Sequence, residues 1–132
     1  MNIGILRVIG CSHLKSLMYD RYSTLSAVSS SLQILDLSNN SLSFESQDER
    51  HAFSHLSDLK VLNLSYNKIE ETNILIDALE YLKNLKSLYL NNNRELKFNG
   101  NGFPASLQQL EFLDLSYCHV FEPTDVIFNN LV

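Results

Sequence analysis

Cys11 and Cys118, with His13, His51, His55 and His119, are the side chains of this sequence best suited to nucleophilic or metal chemistry. Their spacing supports neither. A zinc site needs Cys or His ligands gathered by short, regular spacings, and the four histidines sit in polar stretches without a CxxC or an HExxH. His51 and His55 share one of these stretches, four residues apart, and all four read as solvated loop histidines. No GxSxG elbow and no glycine-rich phosphate loop is present, so nothing pairs a nucleophile with its base or cradles a nucleotide. Glu45, Asp48 and Glu49 form an acidic cluster, but neither their spacing nor a glycine fits a calcium-binding loop. A solvated convex loop is the simpler reading. The sequence thus points to no catalytic residue, no metal site and no cofactor, and an enzyme reading has no residue here to carry it.

Two asparagines could undergo covalent modification. Asn39-Asn40-Ser41 and Asn63-Leu64-Ser65 match the N-glycosylation acceptor pattern, which makes Asn39 and Asn63 candidate glycan sites, although the repeat described next also generates such triplets by accident. Lys plus Arg number 10 and Asp plus Glu 15, a net charge of −5. That balance argues against a general polyanion binder, which needs clustered cations. No nucleic-acid partner is evident. No stretch approaches the ~18 consecutive apolar residues of a membrane-spanning helix; even the run from Asn73 to Leu82 is broken by Asp77 and Glu80. At the start, Arg7 interrupts the apolar run and no basic residue precedes it, which weighs against a signal peptide.

Leucine occurs 24 times and asparagine 14 times in 132 residues, a pairing that points to a repeat. Aligning on Asn or Cys gives five copies: Ile3-Leu6-Val8-Cys11, Leu32-Leu35-Leu37-Asn40, Leu59-Leu62-Leu64-Asn67, Leu85-Leu88-Leu90-Asn93 and Leu110-Leu113-Leu115-Cys118. Each obeys LxxLxLxx(N/C). Fifteen aliphatics at fifteen aligned positions would arise by chance on the order of once in 10⁸ for a chosen register. The last positions of the copies, 11, 40, 67, 93 and 118, step by 29, 27, 26 and 25 residues, at or within the edge of the leucine-rich repeat period. Over nearly its whole length the chain resembles the leucine-rich repeat family.

That resemblance implies an α/β fold: a leucine-rich repeat solenoid, or horseshoe segment, with five short parallel strands on the concave face and irregular or short helical convex segments. Each LxL places two leucines inward and the residue between them outward. Cys11, Asn40, Asn67, Asn93 and Cys118 form the structural ladder that ends each strand. An asparagine amide both donates and accepts in the turn, whereas a cysteine only donates weakly. The two cysteines lie four strand spacings of ~4.8 Å apart, roughly 19 Å, beyond the ~7 Å reach of a disulfide, so both are expected as free thiols. Leu42, Ile69 and Val120 return to the core two residues after the ladder. After Cys11 and Asn93 that place holds His13 and Glu95, with Leu14 and Leu96 one residue late, so those turns should carry an extra residue. Leu75, Ala78, Leu79 and Leu82 at i, i+3, i+4, i+7, behind Thr72 as N-cap, predict a short amphipathic helix. Asn99-Gly100 and Asn101-Gly102 are turn dipeptides. The expected organisation is a single domain over 1–132, an uncapped piece of a longer solenoid, since a terminal repeat needs a polar cap.

Period-two alternation places Ile5, Arg7 and Ile9 on the concave face, then Ile34, Asp36 and Ser38, then Val61, Asn63 and Ser65, then Ser87, Tyr89 and Asn91, then Phe112, Asp114 and Ser116. Tyr66 and Tyr117 flank it at the rim. The candidate ligand-binding residues are therefore Asp36, Asn63, Tyr89, Phe112 and Asp114, with Tyr66 and Tyr117, because exposed aromatics beside carboxylates suit a protein or peptide ligand. The competing reading is that Ile, Val and Phe merely serve strand propensity. The FxxLxxLxxL spacing from Phe53 to Leu62 and the two sequons resemble extracellular receptor ectodomains of the Toll-like or plant receptor-like type, implying a signalling or innate-immunity role outside the cell. The alternative is a cytoplasmic adaptor or immune sensor, in which free thiols are unremarkable.

Overall fold

A computed structural model describes residues 4–19, 22–23, 25, 31–98, 102–119 and 127–131. Five three-residue strands form one parallel sheet in the order β1 (Ile5–Arg7), β4 (Ile34–Asp36), β5 (Val61–Asn63), β6 (Ser87–Tyr89) and β7 (Phe112–Asp114). The middle leucine of each strand turns inward, and Leu35, Leu62 and Leu88 are fully buried. The register is constant: Leu6, Leu35, Leu62, Leu88 and Leu113 are successive partners. The strands end after one LxL unit because the next turn is held by the ladder residue.

That ladder carries the stacking. The Asn67 amide donates to Leu64 O of its own repeat and Leu37 O of the one before, both at 3.0 Å, while its Oδ1 accepts the Leu42 N–H at 3.0 Å. Asn40 does the same with Val8 O, Leu37 O and the Cys11 N–H, and Asn93 with Leu64 O, Leu90 O and the Ile69 N–H. Cys118 makes only the donation, from Sγ to Leu90 O at 3.2 Å. Both cysteines are free.

The return segments differ. After β1 comes an antiparallel ribbon, β2 (Met18–Tyr19) paired with β3 (Tyr22–Ser23), which the repeat pattern gives no reason to expect. After β4 a 3₁₀ turn spans Gln47–His51 and opens with a capping box, the Glu49 carboxylate accepting the Ser46 N–H at 3.0 Å. This corrects the expected solvated acidic loop in one respect: Glu45 and Asp48 are exposed, but Glu49 is only 2% accessible because the box draws it inward. Helix α1 (Asn73–Leu79) follows β5. It is shorter than the sequence period suggested, and Leu82 packs fully buried in the turn behind it. Thr72 does stand at the N-cap position, yet its backbone is already helical and its hydroxyl donates to Lys97 O at 3.1 Å, tying two repeats together instead of capping. Arg50 reaches Asp77 at 4.0 Å and His51 Nδ1 lies 2.9 Å from the Tyr81 hydroxyl, so the convex elements after β4 and β5 contact each other.

The expected extra residue after Cys11 and Asn93 is present. Leu96 N–H donates to Asn93 O and Leu14 N–H to Cys11 O, leaving Glu95 and His13 exposed. Leu96 is fully buried and Leu14 half-buried. Val120 and the residues Asn99 to Asn101 lie outside the described residues. No helix among those described is long and apolar enough to cross a membrane.

Candidate functional site

Constant register converts the strands into columns. Ile5, Ile34, Val61, Ser87 and Phe112 are successive partners in one column, and Arg7, Asp36, Asn63, Tyr89 and Asp114 in the next. The structure places Asp36, Asn63, Tyr89, Phe112 and Asp114 on the concave sheet as the alternation predicts. Phe112 is 47% exposed and its ring centroid lies 5.1 Å from that of Tyr89 at 41°, a tilted aromatic pair on adjacent strands. Asp114 is the strand partner of Tyr89, whereas Asp36 lies two strands from Tyr89 across Asn63.

The polar groups of this face are already engaged on one side. Asp36 Oδ1 accepts the Ser38 N–H at 3.0 Å, Asn63 Oδ1 the Ser65 N–H and hydroxyl, and Asp114 Oδ1 the Ser116 N–H and hydroxyl. These are turns of the type in which a short side chain replaces a strand partner. They correct the expectation that the serines face solvent uniformly: Ser38 and Ser65 are buried because the strand has ended and the chain is curling inward, while Ser116 stays exposed. Within the second sequon, the serine hydroxyl is thus bonded to Asn63 itself. Asn39, in the first, is exposed.

One step further along each repeat, the residue before the ladder position has positive φ in all five copies: Gly10, Asn39, Tyr66, Asn92 and Tyr117, at 76°, 56°, 55°, 60° and 56°. Glycine and asparagine tolerate this region; a bulky residue rarely occupies it. Tyr66 and Tyr117 nonetheless do, and they are 51% and 77% exposed. They stand on the flank, two repeats apart, not in the concave columns.

Beside Tyr66 lies a groove that sequence reasoning missed, reaching from Gly10 and Ser12 to Arg94 and Glu95. Its volume is about 710 Å³, and its walls include Asn39, Tyr66, Lys68, Glu70, Arg94 and Glu95. A smaller depression of about 330 Å³ continues it past Arg94 and Glu95 to Tyr117, Cys118 and His119. The signal was available: the residues one before and one after the ladder read Tyr66 and Lys68, Asn92 and Arg94, Tyr117 and His119 in successive repeats. Beyond Glu70, a third depression turns acidic, with Glu45 and Glu71.

Among the described residues, no group of three or more His, Cys, Asp or Glu could hold a metal ion. The Cys118 thiol is pushed above its ordinary value, chiefly by burial; a backbone hydrogen bond at Asn93 opposes this and the Asp114 carboxylate adds to it. It is a ladder thiol that donates to Leu90 O, and the raised value works against its thiolate, the nucleophilic form.

The sequence pattern described as leucine rich repeat matches residues 30–94, the span of the three asparagine-bearing copies. No curated protein matches the chain. Among solved structures, an internalin from Listeria monocytogenes is 27% identical, with a TM-score of 0.48; the match covers 70% of this chain but 24% of that one. The chain is similar to a small part of that protein's length. With five in-register strands, a ladder of asparagines closed by cysteine, and short helical segments after β4, β5 and β6, the described residues have the fold of a leucine-rich repeat solenoid.

Proposed function

We propose that this solenoid is a ligand-recognition segment of an extracellular receptor ectodomain, and that it holds a protein or peptide through the concave face. The repeat scaffold itself is a protein-recognition module, and nothing in it points to catalysis. The observation that carries the finer reading is the Tyr89–Phe112 pair, two aromatic rings in contact on a solvent-facing sheet beside the Asp114 carboxylate. Aromatic anchors of this kind dominate interface energies, and only concave positions align into columns spaced ~4.8 Å apart. Asp36 and Asp114 favour cationic groups on the ligand. The sequons at Asn39 and Asn63 support an extracellular, glycosylated, signalling receptor with an immune role. The half-buried leucines of β1 and β7 support a longer solenoid that continues the stack.

Selection of a displayed peptide library on the chain supplies a ligand. Replacing Tyr89 and Phe112 together by alanine, with folding checked by circular dichroism, should lower its affinity at least about tenfold. An unchanged affinity, with loss instead on substitution of the loop from Glu45 to Arg50, would overturn the concave reading. Glycopeptide mass spectrometry of the protein from its native source tests the compartment. The exposed free thiol of Cys11 favours a second reading, a cytoplasmic adaptor or immune sensor; unmodified Asn39 and Asn63 with a reduced Cys11 would select it.

A further inference from the structure

We infer that the concave face selects an arginine side chain of its ligand at one corner, where Tyr89 and Phe112 meet Asp114; this rests on the concave reading and narrows it to one chemical group. The two carboxylates of the column stand in different company. Asp36 lies between Arg7 and Asn63 in the register, a cation on one side and an amide on the other. Asp114 partners Tyr89 directly and follows Phe112 by two residues along β7. Its Oδ1 accepts the Ser116 N–H and hydroxyl at 2.9 and 2.7 Å, whereas among the described residues Oδ2 enters no hydrogen bond and the carboxylate no ion pair. The residues just before β6 and β7 cancel each other, because Lys86 Nζ lies 3.4 Å from Glu111 Oε1. One carboxylate oxygen is left uncompensated beside two rings.

The shape of the corner decides which cation fits. A tetrahedral ammonium is held best by rings that enclose it, whereas a planar guanidinium needs a single open ring face and donates from its edge. Here the two rings lie 5.1 Å apart at 41° and touch each other, so they form a wall and not a cage. Phe112 is 47% exposed, which leaves its ring open to a stacked ion. Guanidinium is also the more weakly hydrated of the two cations, so it loses less on leaving water for a half-covered face. Stacked on the wall, it keeps an N–H edge for Oδ2 of Asp114, and a hydrogen bond between two ionised groups is stronger than one between neutral partners. The rings thus choose arginine, and the carboxylate fixes which way it points.

The test is an NMR titration of the isotopically labelled chain with four capped Gly-Gly-X-Gly-Gly peptides, X being arginine, lysine, trimethyl-lysine or citrulline, which keeps the plane without the charge. The arginine peptide should shift the amides of residues 87–89 and 112–116, bind about fivefold more tightly than the lysine peptide and about tenfold more tightly than the citrulline one, and weaken as salt is raised. Phe112→Ile puts into β7 the residue that β1 and β4 carry in the same column, Ile5 and Ile34, so the strand persists, and it should abolish the preference for arginine over lysine. Asp114→Asn keeps the turn, since Asn63 makes the same two bonds to Ser65, and should weaken the arginine peptide about threefold. Asp36→Asn should leave it unchanged. Binding of lysine or trimethyl-lysine as tight as that of arginine, no saturable shift with arginine, or an equal loss on Asp36→Asn would each overturn the proposal. Library-selected peptides that need Tyr89 and Phe112 yet carry no arginine would overturn it and leave the concave reading intact. That reading falls only if such peptides bind independently of both rings.

Discussion

The inner and outer repeats are built from one pattern and end up in different states. In repeats two to four the ladder residue is asparagine and the LxL leucines, Leu35, Leu37, Leu62, Leu64, Leu88 and Leu90, are sealed from solvent. In repeats one and five the ladder residue is cysteine, and Leu6, Val8, Leu113 and Leu115 are only half-buried. The difference follows from what each turn must satisfy. A turn enclosed on both sides has no access to water, so its carbonyls and N–H groups need an amide that donates twice and accepts once. A turn at the edge of the described stack is reached by water, and a thiol that donates a single weak bond suffices there. Among the described residues, asparagine stands at the enclosed turns and cysteine at the two edge turns.

Three measurements sharpen or break this contrast. Asn67→Ala leaves the buried Leu42 N–H without its side-chain acceptor and removes one of two amide donors from Leu37 O and Leu64 O, which keep Asn40 and Asn93, and should cost about 3 kcal/mol in urea denaturation, against about 1 kcal/mol or less for Cys118→Ala. Equal costs would show that enclosure does not set the ladder. Leu62→Ala should cost about 3 kcal/mol and Leu113→Ala about half that, since the second side chain already keeps part of its solvent contact; comparable losses would place β7 in the core proper.

The smallest effect concerns the two thiols. The raised Cys118 value keeps it protonated above the pH at which an ordinary thiol ionises, and only the thiolate is nucleophilic. In the folded chain at mildly alkaline pH, iodoacetamide should therefore alkylate the exposed Cys11 about threefold faster than Cys118, and the rates should converge on unfolding. The sign for stability follows: a thiol whose folded value lies above its unfolded one contributes stability that is present below the unfolded value and declines as pH rises past it. Faster alkylation of Cys118 would mean that its turn opens.

The scaffold was legible because its determinants are local and periodic. Leu35, Leu37 and Asn40 specify strand, inward face and turn within six residues, and stacking identical units then fixes the columns that hold Tyr89, Phe112 and Asp114. What escaped depends on distance or on competition. Among the described residues, the β2–β3 ribbon has no counterpart in other repeats. Glu49 is buried through a capping box four residues into a stretch that reads as solvated, and the Thr72 hydroxyl prefers Lys97 O because that carbonyl arrives from the next repeat. The flank groove escaped because alternation was applied only up to the strand end. Beyond it the left-handed residue turns the chain, and the period of two no longer says which way a side chain points.

Because each strand and its turn set register within a single repeat, the convex arcs are free to change length. The ladder residues are 29, 27, 26 and 25 residues apart, yet β1, β4, β5, β6 and β7 pair without slippage. Insertions and deletions are accordingly partitioned by position. A residue gained in the arc from Ser43 to Ser57 alters the outline of one convex loop. The same residue gained between Leu35 and Asn40 would turn leucines outward and detach the amide from Val8 and Leu37, so lineages of this chain can drift in length on one side while the other stays invariant in spacing.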